Sequence, residues 1–123
     1  MIQAKLVRDT EVRTADTMVG EDLGETTTRI DITRTVRLAL TDAPVMETGY
    51  STVRRYRPKM LTLNFKDGKL TAVETWGYIL KGDGTLGTRH THDDFSPDGE
   101  RRYYMDLDAC PAEIMEIVRR YAA

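Results

Sequence analysis

The sequence predicts an α+β fold: a twisted antiparallel β-sheet of five or more strands with one C-terminal α-helix packed on its apolar face. Three observations carry the prediction. In "TTRIDITRTVRLAL" the even positions Thr28, Ile30, Ile32, Arg34, Val36, Leu38 and Leu40 are largely apolar, and the odd positions Arg29 to Arg37 are polar. That two-residue period describes a half-buried strand in an antiparallel sheet. In "MLTLNFKDGKLTAVETWGYIL" the pair Asp67-Gly68 interrupts a second alternating run, which calls for a two-residue turn with positive φ at both positions. After Asp108 the period becomes helical, with Cys110, Ile114, Ile117, Val118 and Tyr121 on one face.

Taken in order, Ile2 to Val7 reads as a short strand and "DTMVGEDLG" (16–24) as an acidic, glycine-bearing loop. The long alternating run at 27–40 exceeds an ordinary strand, so a bend or bulge is expected near Thr33 to Thr35. "TDAPVMETG" reads as a loop. The Asp67-Gly68 turn sets Phe65 opposite Leu70, Leu63 opposite Ala72 and Leu61 opposite Glu74, with Trp76, Tyr78 and Leu80 continuing the apolar face. "KGDGTLG" and "SPDGE" then return the chain twice more, giving a meander of hairpins. Pro111 suits a first helical turn, and glutamates early with arginines late suit the helix dipole.

"WGYILKGDGTLG" and "PAEIMEIVRRYA" together resemble a pattern of small uncharacterised proteins of actinobacteria and their phages. Lys81, Asp83, Gly84, Thr85, Leu86 and Gly87 match its turn, and Pro111, Ile114, Val118 and Tyr121 its helix. The sequence departs from that pattern by inserting Gly82 and by carrying both histidines after the turn. The resemblance spans roughly the C-terminal third and implies a small accessory protein, phage-encoded, with no activity to carry over.

Composition narrows function further. The 123 residues make one domain, residues 1–123, able to bury about two-thirds of its unfolded surface. A 40% hydrophobic and 31% charged composition is globular, and a net charge of −2 gives no bulk attraction to nucleic acid or anionic membrane. The lone Cys110 excludes an internal disulfide and a multi-cysteine zinc site. The opening "MIQAKLVRDTEV" lacks the apolar run of a signal peptide, and no stretch approaches a membrane span, so a soluble cytoplasmic protein is expected. The 17 threonines favour strands, whereas 13 arginines against 5 lysines carry no functional meaning.

Three constellations could carry chemistry. His90, His92 and Asp94 alternate and would project from one strand face. A three-residue turn before them pairs Leu80 with Leu86 and sets His92 opposite Glu74, giving two imidazoles and one or two carboxylates as a set for zinc or manganese. A four-residue turn shifts the register by one and points the histidines away. The simpler reading, a polar strand with no cofactor and no stoichiometric metal, is preferred because the ligand set falls short of a closed zinc site. Arg34 and Glu74 each interrupt an apolar face and are candidates for a buried ion pair.

The third constellation is "YSTVRRYRPK". Residues 50–69 carry a net +5, from six basic side chains and Asp67. Tyr50, Arg54, Arg55, Tyr56, Arg57 and Lys59 could grip a partner if this strand lies at a sheet edge. A protein partner is favoured over nucleic acid, whose phosphates the same residues could contact. No phosphate loop, nucleophile elbow or HExxH motif is present, and Cys110 lies on the apolar helix face. A non-enzymatic binding protein is therefore the expected class, with a metal-dependent protein centred on His90 and His92 as the rival.

Overall fold

Alternation and turn chemistry together produce a single open sheet with one helix on it. The computed structural model describes residues 2–19, 26–48, 53–97 and 104–122. The strands are β1 (Gln3–Val19), β2 (Thr26–Thr41), β3 (Met46–Glu47), β4 (Arg55–Lys66), β5 (Lys69–Leu80), β6 (Leu86–Ser96) and β7 (Met105–Asp106), followed by the helix α1 (Ala112–Ala122). Their spatial order is β1-β2-β4-β5-β6-β7, with β3 added alongside β4. All pairings are antiparallel except β6 with β7, which is parallel. The last strand is thus not a hairpin return; of "SPDGE", residues 98–100 lie outside the described residues. No helix among the described residues is long and apolar enough to cross a membrane.

The core lies between one sheet face and α1. Val36 and Leu38 from β2, Leu61, Leu63 and Phe65 from β4, Val73 from β5 and Phe95 from β6 meet Cys110, Ile114, Ile117 and Val118. Glu113 stands in the first turn of α1 and Arg119 and Arg120 in the last, each where the helix dipole favours its charge. The Pro111 carbonyl accepts from the amides of Ile114 and Met115.

The Asp67-Gly68 turn forms as expected, with φ of 50° and 81°. Phe65 faces Leu70, but Thr71 is then an extra residue: Asn64 faces Ala72, Leu63 faces Val73 and Leu61 faces Thr75. This bulge inverts the rest of β5. Val73 and Thr75 point into the core, and Glu74, Trp76 and Tyr78 go to the opposite face, contrary to the expected register.

The first two strands differ most from expectation. β1 runs 17 residues, taking in residues 16–19 of what reads as a loop, because it pairs with β2 along its whole length; residues 20–24 of that loop lie outside the described residues. The irregularity in that pairing lies between Leu6 and Arg8 on β1, and β2 carries no bulge at Thr33–Thr35. Since β4 meets β2 only from Thr33 to Ala39, the Thr26–Ile32 part of β2 and its partners on β1 form a two-stranded arm. Seven residues of strand reach roughly 23 Å beyond the body. Ile30 there is 60% exposed, and Val12, at the root of the arm, is 54% exposed.

Candidate functional site

The sheet face away from α1 carries no covering element among the described residues, and three cross-strand rows run across it. Arg57 on β4 lies beside Tyr78 on β5 and His90 on β6; Met60 beside Trp76 and His92; Thr62 beside Glu74 and Asp94. Arg37 on β2 extends the third row. Two irregularities build this face. Lys59 is an extra residue between the Pro58–Gly77 and Met60–Trp76 pairs, and Thr71 inverts β5. Without the Thr71 bulge Trp76 would turn to the core side, and without the Lys59 bulge Arg57 would no longer share a face with Tyr78.

The aromatic centre is half-buried. Trp76 meets Tyr78 edge-on at 5.1 Å and His90 at 5.3 Å between ring centroids. The Lys59 ammonium stands 5.6 Å from the centre of the Tyr78 ring, within cation–π range. A shallow cavity of about 320 Å³ opens between Arg37, Met60, Thr62, Glu74 and Trp76.

Beside it, donor atoms of Glu74, His92 and Asp94 lie within 4.8 Å of one another. His92 Nε2 is 3.2 Å from Asp94 Oδ2. Burial first, then the Asp94 carboxylate, push the Glu74 carboxyl above its ordinary range, while His92 and Arg37 pull the other way. One imidazole and two carboxylates are donors suited to zinc or manganese. The turn before β6 is the three-residue kind: Lys81 N–H donates to the Thr85 carbonyl, and Gly84 has a φ of 85°. Leu80 faces Leu86 as expected. An irregularity after Tyr78 then moves β6 by two residues, so the histidines keep their face but His92 faces Trp76 and Asp94 faces Glu74. His90 packs on Trp76 and is outside the three-ligand group.

The basic strand differs from its sequence reading. β4 is interior to the sheet, between β2 and β5, not an edge. Tyr56 is fully buried and turned into the core, so it is unavailable to a partner. Arg55, Arg57 and Lys59 are exposed, and Arg57 donates to the Ala43 carbonyl at 2.7 Å. Arg54, also exposed, precedes the strand, and its amide donates to Thr48. Tyr50 lies outside the described residues.

Arg34 and Glu74 do not pair. They occupy opposite faces, because the Thr71 bulge turned Glu74 over. Arg34 instead makes a bidentate bond to Asp9, at 2.9 and 2.8 Å, and lies over the Phe65 ring. That bond, above all, holds the Asp9 carboxyl below its usual range.

Beneath the face lies a polar group that sequence reasoning missed. Tyr56 donates its hydroxyl proton to Asp93, which is 1% exposed, and its oxygen lies 2.7 Å from the Thr75 hydroxyl. Burial, and then the bond to Asp93, raise the Tyr56 pKa far above the ordinary range. Cys110 is buried nearby and its thiol is pushed up to about 12, mainly by burial, which excludes a ready nucleophile. Arg37, Met60 and Trp76 were also missed as site residues. The signal that could have found them is the Glu74-Trp76-Tyr78 alternation, once a bulge is allowed. No protein-family model, no curated protein and no solved structure matches the chain.

Proposed function

We propose that the protein is a non-enzymatic binding protein of the cytoplasm that holds a protein partner on the uncovered sheet face around Trp76. The observation that carries this reading is the combination there of Trp76, Tyr78 and Met60 with Arg37, Arg57 and Lys59. Aromatic, methionine and arginine side chains are the residues enriched at the energetic centres of protein interfaces. The resemblance to small accessory proteins of actinobacterial phages supports the same class. The basic residues of β4 keep the role expected of them, without Tyr56.

The single tryptophan makes the test direct. A partner captured from host lysate and then purified should change the intrinsic fluorescence of Trp76. Trp76→Ala should weaken its binding by about 2 kcal/mol or more, and Lys59→Glu by about 1 kcal/mol, with circular dichroism unchanged. Unchanged affinity in both folded variants removes this face from the interface. A steep loss of affinity with salt would identify the partner as nucleic acid instead.

A second reading, a divalent-cation site, is favoured by the convergence of Glu74, His92 and Asp94. Ligands must be deprotonated to bind. Zinc affinity should therefore rise with pH as the Glu74 carboxyl, raised by burial and by the Asp94 carboxylate, loses its proton. Glu74→Gln should abolish that binding. It should also raise the melting temperature of the metal-free protein at pH 7 but not below about pH 4. The sign follows from linkage: a carboxyl with a raised folded pKa favours folding when protonated, and this stability is lost as pH rises through that pKa. Absence of zinc binding at pH 7, by calorimetry, would remove the reading.

A further inference from the structure

The longest exposed feature of the fold is the outer edge of β1, and its sequence is complementary to itself. β1 is the terminal strand of the sheet, and no strand among the described residues pairs with its outer side. Its backbone is available for pairing there. The Ile32 amide donates to the Asp67 carboxylate and its carbonyl accepts from the Asp67 amide, so Ile32 turns its polar groups away from β1. Arg13, opposite Ile32, therefore directs its own N–H and C=O outward, as do the other odd residues nearby on β1.

We infer that two copies of this chain join through antiparallel β1 strands, about a two-fold axis at Val12. In that register Val12 meets Val12 of the second copy, Thr10 meets Thr14, Glu11 meets Arg13 and Arg8 meets Asp16. Each heterologous pair occurs twice by symmetry. The odd pairs, Glu11 with Arg13 among them, exchange the outward backbone hydrogen bonds. The facing side chains share a sheet face, so the opposite charges are direct cross-strand neighbours.

Charge makes the choice of register. An exposed edge is ordinarily protected by charged side chains, and β1 has Arg8, Asp9, Glu11, Arg13 and Asp16 there. Moving the centre to Glu11 sets Glu11 on itself, and moving it to Arg13 sets Arg13 on itself. Midway between Thr10 and Glu11, Arg8 opposes Arg13. The Val12 centre opposes no like charges and satisfies two kinds of opposite pair. The other sheet edge is blunted, because β7 covers Phe95 and Ser96 and a register irregularity occupies the start of β6.

The arm supplies a second reason. A two-stranded ribbon is marginal in water by itself. In the dimer, residues 13–16 of each arm lie along residues 8–11 of the second copy, short of the irregularity between Leu6 and Arg8, and gain a third strand there. The two seven-stranded sheets become one continuous sheet. The Glu11–Arg13 contact within one chain, 3.2 Å and largely exposed, is recruited into a four-charge cluster at the axis.

The test uses two charge reversals, each self-repelling at the axis. Sedimentation equilibrium of the full chain should show a wild-type dimer. Glu11→Arg and Arg13→Glu should each raise the dimer dissociation constant about tenfold or more. Mixing the two single variants should restore dimers, as heterodimers, because 11 and 13 then face opposite charges across the axis. Rescue by mixing cannot arise from contacts within one chain. A monomeric wild type overturns the inference, as does a dimer indifferent to both reversals, or a mixture that fails to associate.

Discussion

Replacing Tyr56 by phenylalanine is expected to cost about 3 kcal/mol of folding stability, although the ring and its packing are retained. The loss is confined to the hydroxyl, which donates to a carboxylate that is 1% exposed and also meets Thr75. A buried group deprived of a partner forfeits about 1–3 kcal/mol, with charged groups at the upper end. Urea denaturation should show a lower midpoint with an unchanged slope. Tyr78→Phe, on the half-exposed uncovered face, should stay within about 0.5 kcal/mol of wild type and serves as the control. A cost below about 1 kcal/mol for Tyr56→Phe would show that Asp93 is satisfied without the phenol.

Gly77→Ala is expected to be equally severe for a different reason. A β-carbon at Gly77 would stand 2.2 Å from the Arg57 carbonyl oxygen and 3.1 Å from the Tyr56 ring. The obstacle is backbone in a paired strand, so relief requires opening the β4–β5 ladder where Pro58 faces Gly77. Overpacking costs about 1–3 kcal/mol where side chains can adjust, and more than about 3 kcal/mol is expected where they cannot. Gly82→Ala is the matched control, because nothing lies within 4 Å of a β-carbon there. Thermal melts of the two variants should differ by several degrees at least. Coincident melts would show that the strands separate at Gly77 without penalty.

Both changes act at places where sequence reasoning stopped short. The Asp67-Gly68 turn, the β2 alternation and α1 are legible because their signals are local: a turn dipeptide, a period, a proline and a charge gradient. The length of β1 is not, because a ribbon exposed on both faces needs no hydrophobic period. Tyr56 reads as a surface residue among arginines, since its partner Asp93 is 37 positions away. Which of Asp93 and Asp94 is buried depends on strand parity, and parity is set by backbone irregularities with no compositional mark. The same holds for the ligand group. Glu74, His92 and Asp94 are legible as neighbours once the turn before β6 is three residues long, whereas their place on the uncovered face and not in the core depends on the Thr71 bulge.

Thr71 therefore behaves like a frameshift in a code of period two. The side chain itself does little beyond a hydrogen bond to the Asn64 carbonyl, so its substitution should be mild. Its removal would be another matter: every residue from Ala72 to Tyr78 would exchange inside for outside, burying Glu74 and Trp76 and expelling Val73 and Thr75. Away from Gly77 and the core positions, drift along β5 can thus proceed by substitution far more readily than by insertion or deletion. Homologous chains should keep the spacing between the Asp67-Gly68 turn and Trp76 more strictly than they keep the residues within it.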